Sequence, residues 1–361
     1  GGRVGGLSKS AHITFSDISR KFGPLANFLP EKLVLSTMKK IGPQEVSHIT
    51  GIKSATGKEA EGWFTACTLT TEQMVKLPEK FVVKKIIDAV NLAAQQGAKI
   101  VGLGAYTAVV GDAGITIAKN VDVPVTTGNT YTVATALLGL RWAADKLGTD
   151  LSQCRVGVMG AYGSIGKACS KVLAGSVGEL ALIGRKQHEL EQLKEAISSK
   201  GQVSLHTDAH EVLPTLDALV TVTSAVDSVI EPEDLKTGAI VCDVARPRDV
   251  SKRVAEVRDD VLVFEGGAVL VPGDVDFNFN FGFPPKTSYA CMAETMILAL
   301  EGRYENYSLG RDLEVAKVEE MIKLAEKHGF ELAGLRSFER AVKEEEINQL
   351  KERIAKKRTS A

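Results

Sequence analysis

The residue best placed to do chemistry is Cys291. It stands in the run Pro284-Pro285-Lys286-Thr287-Ser288-Tyr289-Ala290-Cys291-Met292-Ala293-Glu294. The two prolines stop any preceding element, and Ser288 is a good N-cap, which places Cys291 at the third position of the helix that follows. A thiol in the first turn of a helix feels the positive end of the helix dipole. Its pKa falls, and more of it is thiolate, the nucleophilic form. Lys286 works in the same direction and Glu294 against it. The alternative is a cysteine of the helix core, and the residue types leave both readings open. The other four cysteines, Cys67, Cys154, Cys169 and Cys242, lie in strand or helix patterns and read as small buried hydrophobes. No CxxC or His/Cys cluster offers a metal site, so no metal is expected. None of the six histidines is near Cys291 in sequence.

A second constellation is built for binding. Residues 156–166, Val-Gly-Val-Met-Gly-Ala-Tyr-Gly-Ser-Ile-Gly, read as strand, turn and helix. Gly160 turns tightly off the strand, Gly163 lets the backbone approach a pyrophosphate, and Gly166 lets the helix sit close to the sheet. The backbone of Ala161, Ser164 and Ile165 at the helix N-terminus then offers N–H groups and partial positive charge to the phosphates. The spacing is GxxGxxG, and its strand–turn–helix context makes the glycine pattern specific. The next strand ends in Gly184-Arg185-Lys186, where an NAD enzyme commonly carries Asp or Glu. Arg185 and Lys186 instead suit the 2′-phosphate of NADPH, the alternative being a solvated basic turn. The fourth strand ends in Thr221-Val222-Thr223-Ser224-Ala225, and Thr223 and Ser224 are placed to lie under the nicotinamide ribose.

The elements that must position these groups are legible in the hydrophobic pattern. From Cys154 onward, apolar runs at 155–159, 179–183, 202–205, 218–223, 239–243 and 261–264 alternate with helical patterns, the sign of an α/β, Rossmann-like, doubly wound parallel sheet. Before it, a hairpin is expected over 45–53 and 59–69, then a helix at 80–96 and a short strand at 99–103, with another helical stretch over 11–43. The polar loop Thr126-Thr127-Gly128-Asn129-Thr130-Tyr131 precedes a helix over 133–147 that Thr130 can cap. Asn129 and Thr130 in that loop can donate to an oxyanion, the alternative being a plain helix cap. After residue 285 the chain reads as helical to the end, over 289–300, 313–328 and about 337–357. The charged stretch 343–357 reads as a solvated face or, alternatively, a contact with a second copy of the chain. The expected division is an N-terminal α/β substrate domain (1–132), an NADPH-binding domain (133–285) and a C-terminal helical segment carrying Cys291 (286–361).

Bulk properties narrow the class. In 361 residues, 44 Lys and Arg nearly balance 45 Asp and Glu, which speaks against a nucleic-acid partner. The odd number of cysteines, five, without metal spacing reads as a reduced cytoplasmic protein. No run of about 18 apolar residues would span a membrane, and the Gly-rich first ten residues lack the apolar core of a secretory signal.

Several uncommon motifs resemble one family, the long-chain acyl-[acyl-carrier-protein] reductases that form fatty aldehydes in cyanobacteria. They are Thr50-Gly51-Ile52-Lys53-Ser54-Ala55-Thr56-Gly57-Lys58, residues 102–104, the run from Thr126 to Thr132, the glycine turn 160–166, Tyr289-Ala290-Cys291-Met292-Ala293-Glu294-Thr295-Met296, Ser308-Leu309-Gly310-Arg311 and Lys327-His328-Gly329-Phe330. The resemblance implies that Cys291 attacks an acyl thioester, on acyl carrier protein or coenzyme A, and that NADPH reduces the acyl group to the aldehyde in a cleft between domains. An anionic donor would meet a basic surface, for which Arg246, Arg248, Lys252 and Arg253 are the expected cluster. The chain departs from the family pattern at Tyr131, at 244–247 and over 273–285. Two other readings fit the layout: a shikimate-dehydrogenase-like NADP oxidoreductase without covalent catalysis, and a non-enzymatic NADPH-binding regulator.

Overall fold

The computed structural model describes residues 7–8, 39–223, 229–245, 248–338 and 340–360. The expected helical stretch over 11–43 therefore lies largely outside the described residues, as do Ser224 and Arg246. The chain forms two compact units, one of residues 1–128, 270–311 and 323–331, the other of 129–269, 312–322 and 332–361.

The first unit is built on strands β1 (Leu7–Ser8), β2 (Gln44–Lys53), β3 (Glu59–Ala66), β4 (Val101–Leu103) and β5 (Val125–Thr126). With Gly273–Asp276 they make a mixed sheet in the order 273–276, β2, β3, β1, β4, β5. The hairpin β2–β3 is antiparallel, and β1, β4 and β5 run parallel to β3. Helix α1 (Glu79–Gln95) buries Val82, Ile86, Ala89, Val90 and Ala93 in one cluster with Cys67, Leu69, Val101 and Leu103, while Val83 and Ile87, which its periodicity also turns inward, are partly buried.

The turn of the hairpin is fastened to the end of the helix Val315–His328. The Ala55 N–H donates to His328 O at 2.9 Å. His328 is wholly buried, with Nδ1 2.8 Å from Ser54 Oγ and Nε2 2.8 Å from Glu301 Oε2. Burial holds the imidazole pKa below its ordinary value against the pull of Glu301, while hydrogen bonding from Lys327 holds the Glu301 carboxyl down. The unfolded chain, with histidine near its usual value of about 6.5, binds the proton more readily than the folded one. Stability therefore falls as the pH drops below about 6.5. The denaturation midpoint of the wild type should decline between pH 7 and pH 5. His328→Gln should flatten that slope while lowering stability at pH 7 by about 1–3 kcal/mol, because Ser54 and Glu301 lose a buried partner.

The second unit holds β6 (Arg155–Met159), β7 (Glu179–Ile183), β8 (Val203–His206), β9 (Ala218–Thr221), β10 (Ile240–Asp243) and β11 (Leu262–Glu265). All neighbours are parallel, in the order β11-β10-β9-β6-β7-β8. Read from the other edge this is 3-2-1-4-5-6, the strand order of the doubly wound dinucleotide fold, with the topological switch between β6 and β9. Every residue of β9, β10 and β11 is buried, as strands covered on both faces must be.

Helix α2 (Asn129–Leu147) begins earlier than the sequence predicts. Asn129, Thr130 and Tyr131 are helical rather than loop, and Thr130 lies within the first turn instead of capping it. Thr135 tolerates burial because it bonds within the helix, its Oγ1 donating to Tyr131 O at 3.0 Å. After residue 328 a short strand pair, Arg336–Ser337 with Arg340–Ala341, precedes a final helix, Glu344–Ser360, where a single longer helix is expected.

Candidate active site

In the second unit, β6 delivers the chain into the glycine turn, and helix α3 (Ser164–Leu173) follows it. The Gly160 and Ala161 N–H groups donate to Ile183 O at 3.0 and 3.2 Å, so the turn is bonded to the end of β7. A Cβ on Gly166 would lie 2.2 Å from Gly160 O, which is why no larger residue serves there. Gly163 caps α3 without a side-chain hydrogen bond, so the first-turn N–H groups of Ser164, Ile165 and Gly166 form a candidate anion site of the kind that suits a pyrophosphate. The turn is partly open to solvent at Tyr162, Gly163, Ser164 and Ile165, while Ala161 is buried.

Arg185 and Lys186 follow β7 with both side chains exposed and in no ion pair with a described residue. These features fit NADPH: an anion site at the helix end and two uncommitted cations one strand away. Replacing Arg185 and Lys186 together by alanine should weaken NADPH binding about 10- to 100-fold and NADH binding less than about 3-fold, measured by fluorescence titration.

Thr223, at the end of β9, is held from behind. Its Oγ1 and N–H donate to the Asp249 carboxylate at 2.5 and 3.0 Å, and Thr221 Oγ1 donates to the same group. Asp249 is fully buried. Its role was not legible in the sequence, where only the alternation of the neighbouring strands stands out. Asn129 Nδ2 donates to Ser164 Oγ at 3.2 Å, tying the start of α2 to the start of α3, and Thr130 is buried beside it in sequence. In the expected basic cluster, Arg248 is paired with Glu265 at 2.6 Å and Arg253 with Glu231 and Glu233, so much of that charge is neutralised within the chain.

In the first unit, Cys291 is the second residue of helix α4 (Ala290–Glu301). The N-cap is Tyr289, not Ser288: Ser288 lies buried in the strand Thr287–Tyr289 and donates to Tyr289 O. Lys286, expected to favour the thiolate, pairs with Asp274 at 2.8 Å. Every residue of α4 from Ala290 to Leu300 is buried except Cys291, which is half-buried. The other four cysteines are buried. Burial pushes the Cys67 thiol up to about 11 and the Cys169 thiol up to about 12, and raises Cys154 as well.

The loop 126–128 is fitted against this helix. Gly128, at φ +75°, approaches so closely that a Cβ there would lie 2.3 Å from both Cα and O of Cys291. Behind it, Glu294 is fully buried and accepts hydrogen bonds from Thr126 Oγ1 and, at 2.7 Å, from Ser308 Oγ. Thr127 Oγ1 donates to Ser308 O, and Val125 N donates to Asn306 Oδ1 at 2.8 Å. Glu294 thus acts as the acceptor that gathers two distant loops beneath the thiol's helix. Sequence reasoning counted only its charge; the available signal was a carboxylate within an otherwise apolar helix, which requires a partner.

A family model described as shikimate / quinate 5-dehydrogenase matches residues 141–265, the dinucleotide sheet. The chain is 34% identical over 308 residues to aminotransferase PigE of Serratia sp., covering 83% of this chain but 36% of that protein. It is 30% identical over 304 residues to the long-chain acyl-[acyl-carrier-protein] reductase of Synechococcus elongatus, covering 80% of this chain and 87% of that one. Among solved structures it is similar to L-tryptophan dehydrogenase from Nostoc punctiforme, at 11% identity and a TM-score of 0.40 over 99% of this chain and 89% of that one. Among the described residues no helix is long and apolar enough to cross a membrane. A dehydrogenase-type nucleotide domain and a reductase relative make this chain an oxidoreductase, and NADPH is its cofactor. With that coverage of its reductase relative, the chain belongs to the long-chain acyl-[acyl-carrier-protein] reductase family.

Proposed function

We propose that this protein reduces a long-chain acyl thioester, carried on an acyl carrier protein or on coenzyme A, to the fatty aldehyde through an acyl-enzyme on Cys291. The observation that carries the reading is the seat of that thiol: one half-buried cysteine at the N-terminus of an otherwise buried helix, with a glycine loop pressed against its backbone. The helix N-terminus favours the thiolate. Its sulfur attacks the thioester carbonyl, and the electron pair of the broken C–S bond leaves with the carrier thiol, which takes up a proton. The backbone N–H groups in the first turn of α4 are the proposed donors to the oxyanion, with Asn129 and Thr130 as further donors. When bound, NADPH supplies the hydride that converts the acyl group to the aldehyde. Release of the aldehyde returns the thiolate of Cys291.

A row of aromatic rings begins at Tyr289, two residues before Cys291 in sequence. Tyr289, the N-cap of α4, lies 4.5 Å from Phe283 between ring centroids, and Phe281 and Phe279 continue the row to the buried Phe64. Such a row suits an alkyl chain. The match to shikimate and quinate dehydrogenases covers the nucleotide sheet and not the thiol's unit, so it supports the cofactor and leaves the covalent step to the family relative.

The test supplies NADPH with hexadecanoyl thioesters of acyl carrier protein and of coenzyme A in parallel. The expected result is aldehyde with equimolar NADPH loss, and a hexadecanoyl adduct on the peptide containing Cys291 when NADPH is withheld. NADPH binding without aldehyde or adduct from either donor would overturn the reading.

A further inference from the structure

The end of β7 holds a pair of residues whose meaning lies in shape. Gly184 stands eighteen residues after Gly166. In a dinucleotide domain that prefers NAD, the acid that binds the ribose hydroxyls lies about 20 residues beyond the glycine turn. Gly184 does not have a positive φ, so its backbone conformation does not call for glycine. A neighbour does. A Cβ built on Gly184 would lie 2.5 Å from Cε1 of Tyr162 and 3.1 Å from its Cδ1. The ring of Tyr162 fills the volume that an acidic side chain at 184 would need.

Tyr162 belongs to the glycine turn itself, between Ala161 and Gly163, and is half-buried. The backbone around the pair is tied on both sides. Gly160 and Ala161 donate to Ile183 O, and the Gly184 N–H donates to His206 O at 3.0 Å. Turn and strand end therefore cannot part to admit a side chain without losing the two hydrogen bonds to Ile183 O, and the third bond holds Gly184 to the end of β8. Directly after Gly184 in sequence, Arg185 and Lys186 are exposed to solvent.

We propose that Tyr162 and Gly184 act together as a steric filter for the adenosine ribose. The ring excludes the acid that would bind a 2′-hydroxyl and repel a 2′-phosphate, and so leaves the 2′ position to Arg185 and Lys186. Attraction from the basic pair and exclusion by the ring are separate contributions to one preference. The consequence is epistasis. An acid at 184 can serve a ribose only once the ring is gone.

The test reads dinucleotide binding alone and does not depend on the acyl substrate. Dissociation constants for NADPH and NADH are measured by fluorescence titration for the full chain and for Tyr162→Ala, Gly184→Asp and the double variant. Competition by 2′,5′-ADP and 5′-AMP isolates the ribose end, and thermal melting without nucleotide establishes that each variant is folded. Gly184→Asp alone should weaken NADPH at least 10-fold with no gain for NADH. Adding Tyr162→Ala to it should tighten NADH at least 10-fold relative to the single variant. Tyr162→Ala alone should still prefer NADPH. If folded Gly184→Asp binds NADH as tightly as the double variant, or if the double variant is folded and gains nothing, the ring is not a filter. Should both Asp-containing variants fail to fold while Tyr162→Ala folds, acid and ring are not in competition, and the proposal is overturned in the same way.

Discussion

Cys291→Ala should lower aldehyde formation by about 10³-fold or more, while the dissociation constant for NADPH stays within about 2-fold of wild type. The two readouts separate because the thiol lies in the first unit and the glycine turn, Arg185 and Lys186 in the second. Cys291→Ser should behave nearly as badly as alanine, since a serine hydroxyl stays protonated at a pH where a thiol at a helix N-terminus is partly ionised. Alkylation provides an independent check. With Cys67, Cys154, Cys169 and Cys242 buried, iodoacetamide should label the native protein at Cys291 first, and prior acylation should block the label. Equal aldehyde from wild type and Cys291→Ala would mean that Cys291 is structural and the carbonyl is reduced without a covalent intermediate.

Gly128→Ala should be strongly destabilising for a single added methyl group. The added carbon would meet the Cα and carbonyl oxygen of Cys291 at 2.3 Å, and its own φ of +75° is strained for alanine. Those neighbours are backbone atoms, so no rotamer change relieves the clash. The loop also cannot retreat freely, because Thr126 and Thr127 are bonded to Glu294 and Ser308. A cost of about 3 kcal/mol or more is expected in denaturant unfolding, with a changed alkylation rate at Cys291. Gly57→Ala is the control. Gly57 has φ +82° but nothing within 4 Å of the built Cβ, so only backbone strain remains, about 1 kcal/mol. Equal costs at the two positions would show that contact between the 128 loop and the Cys291 helix does not constrain the native protein.

The parallel sheet was the most legible part of the sequence. Buried strands such as Ala218–Thr221 and Ile240–Asp243 carry three successive apolar residues each, and the glycine turn labels the end of β6. The helix starting at Asn129 was harder, because Asn, Thr and Tyr resemble a loop until their hydrogen bonds are seen. Ser288 looked like a cap by residue type, yet Tyr289 takes that position and the serine is buried in a strand. The thiol itself was visible, but not what seats it. Thr126 and Ser308 reach Glu294 from 168 and 14 residues away, and Asp249 is 26 residues from Thr223. Periodicity reports which face of an element is buried; it carries no information on which distant polar group completes a buried carboxylate.

The first unit is interrupted in sequence by the whole of the second sheet, and this sets an order of assembly. During synthesis the strands β6 to β11 emerge complete by residue 265, as one contiguous block of local strand–helix–strand contacts. The first unit at that moment lacks the strand Gly273–Asp276 that pairs with β2, the helix carrying Cys291, and the His328 that fastens the hairpin turn. Contacts of such long separation form late, because the loop must close before they contribute. The nucleotide sheet is therefore positioned to fold while the chain is still growing, and the thiol is seated only when the C-terminal segments arrive. A nascent or truncated chain ending near residue 269 would carry every strand of the dinucleotide sheet but neither Cys291 nor the strand that pairs with β2.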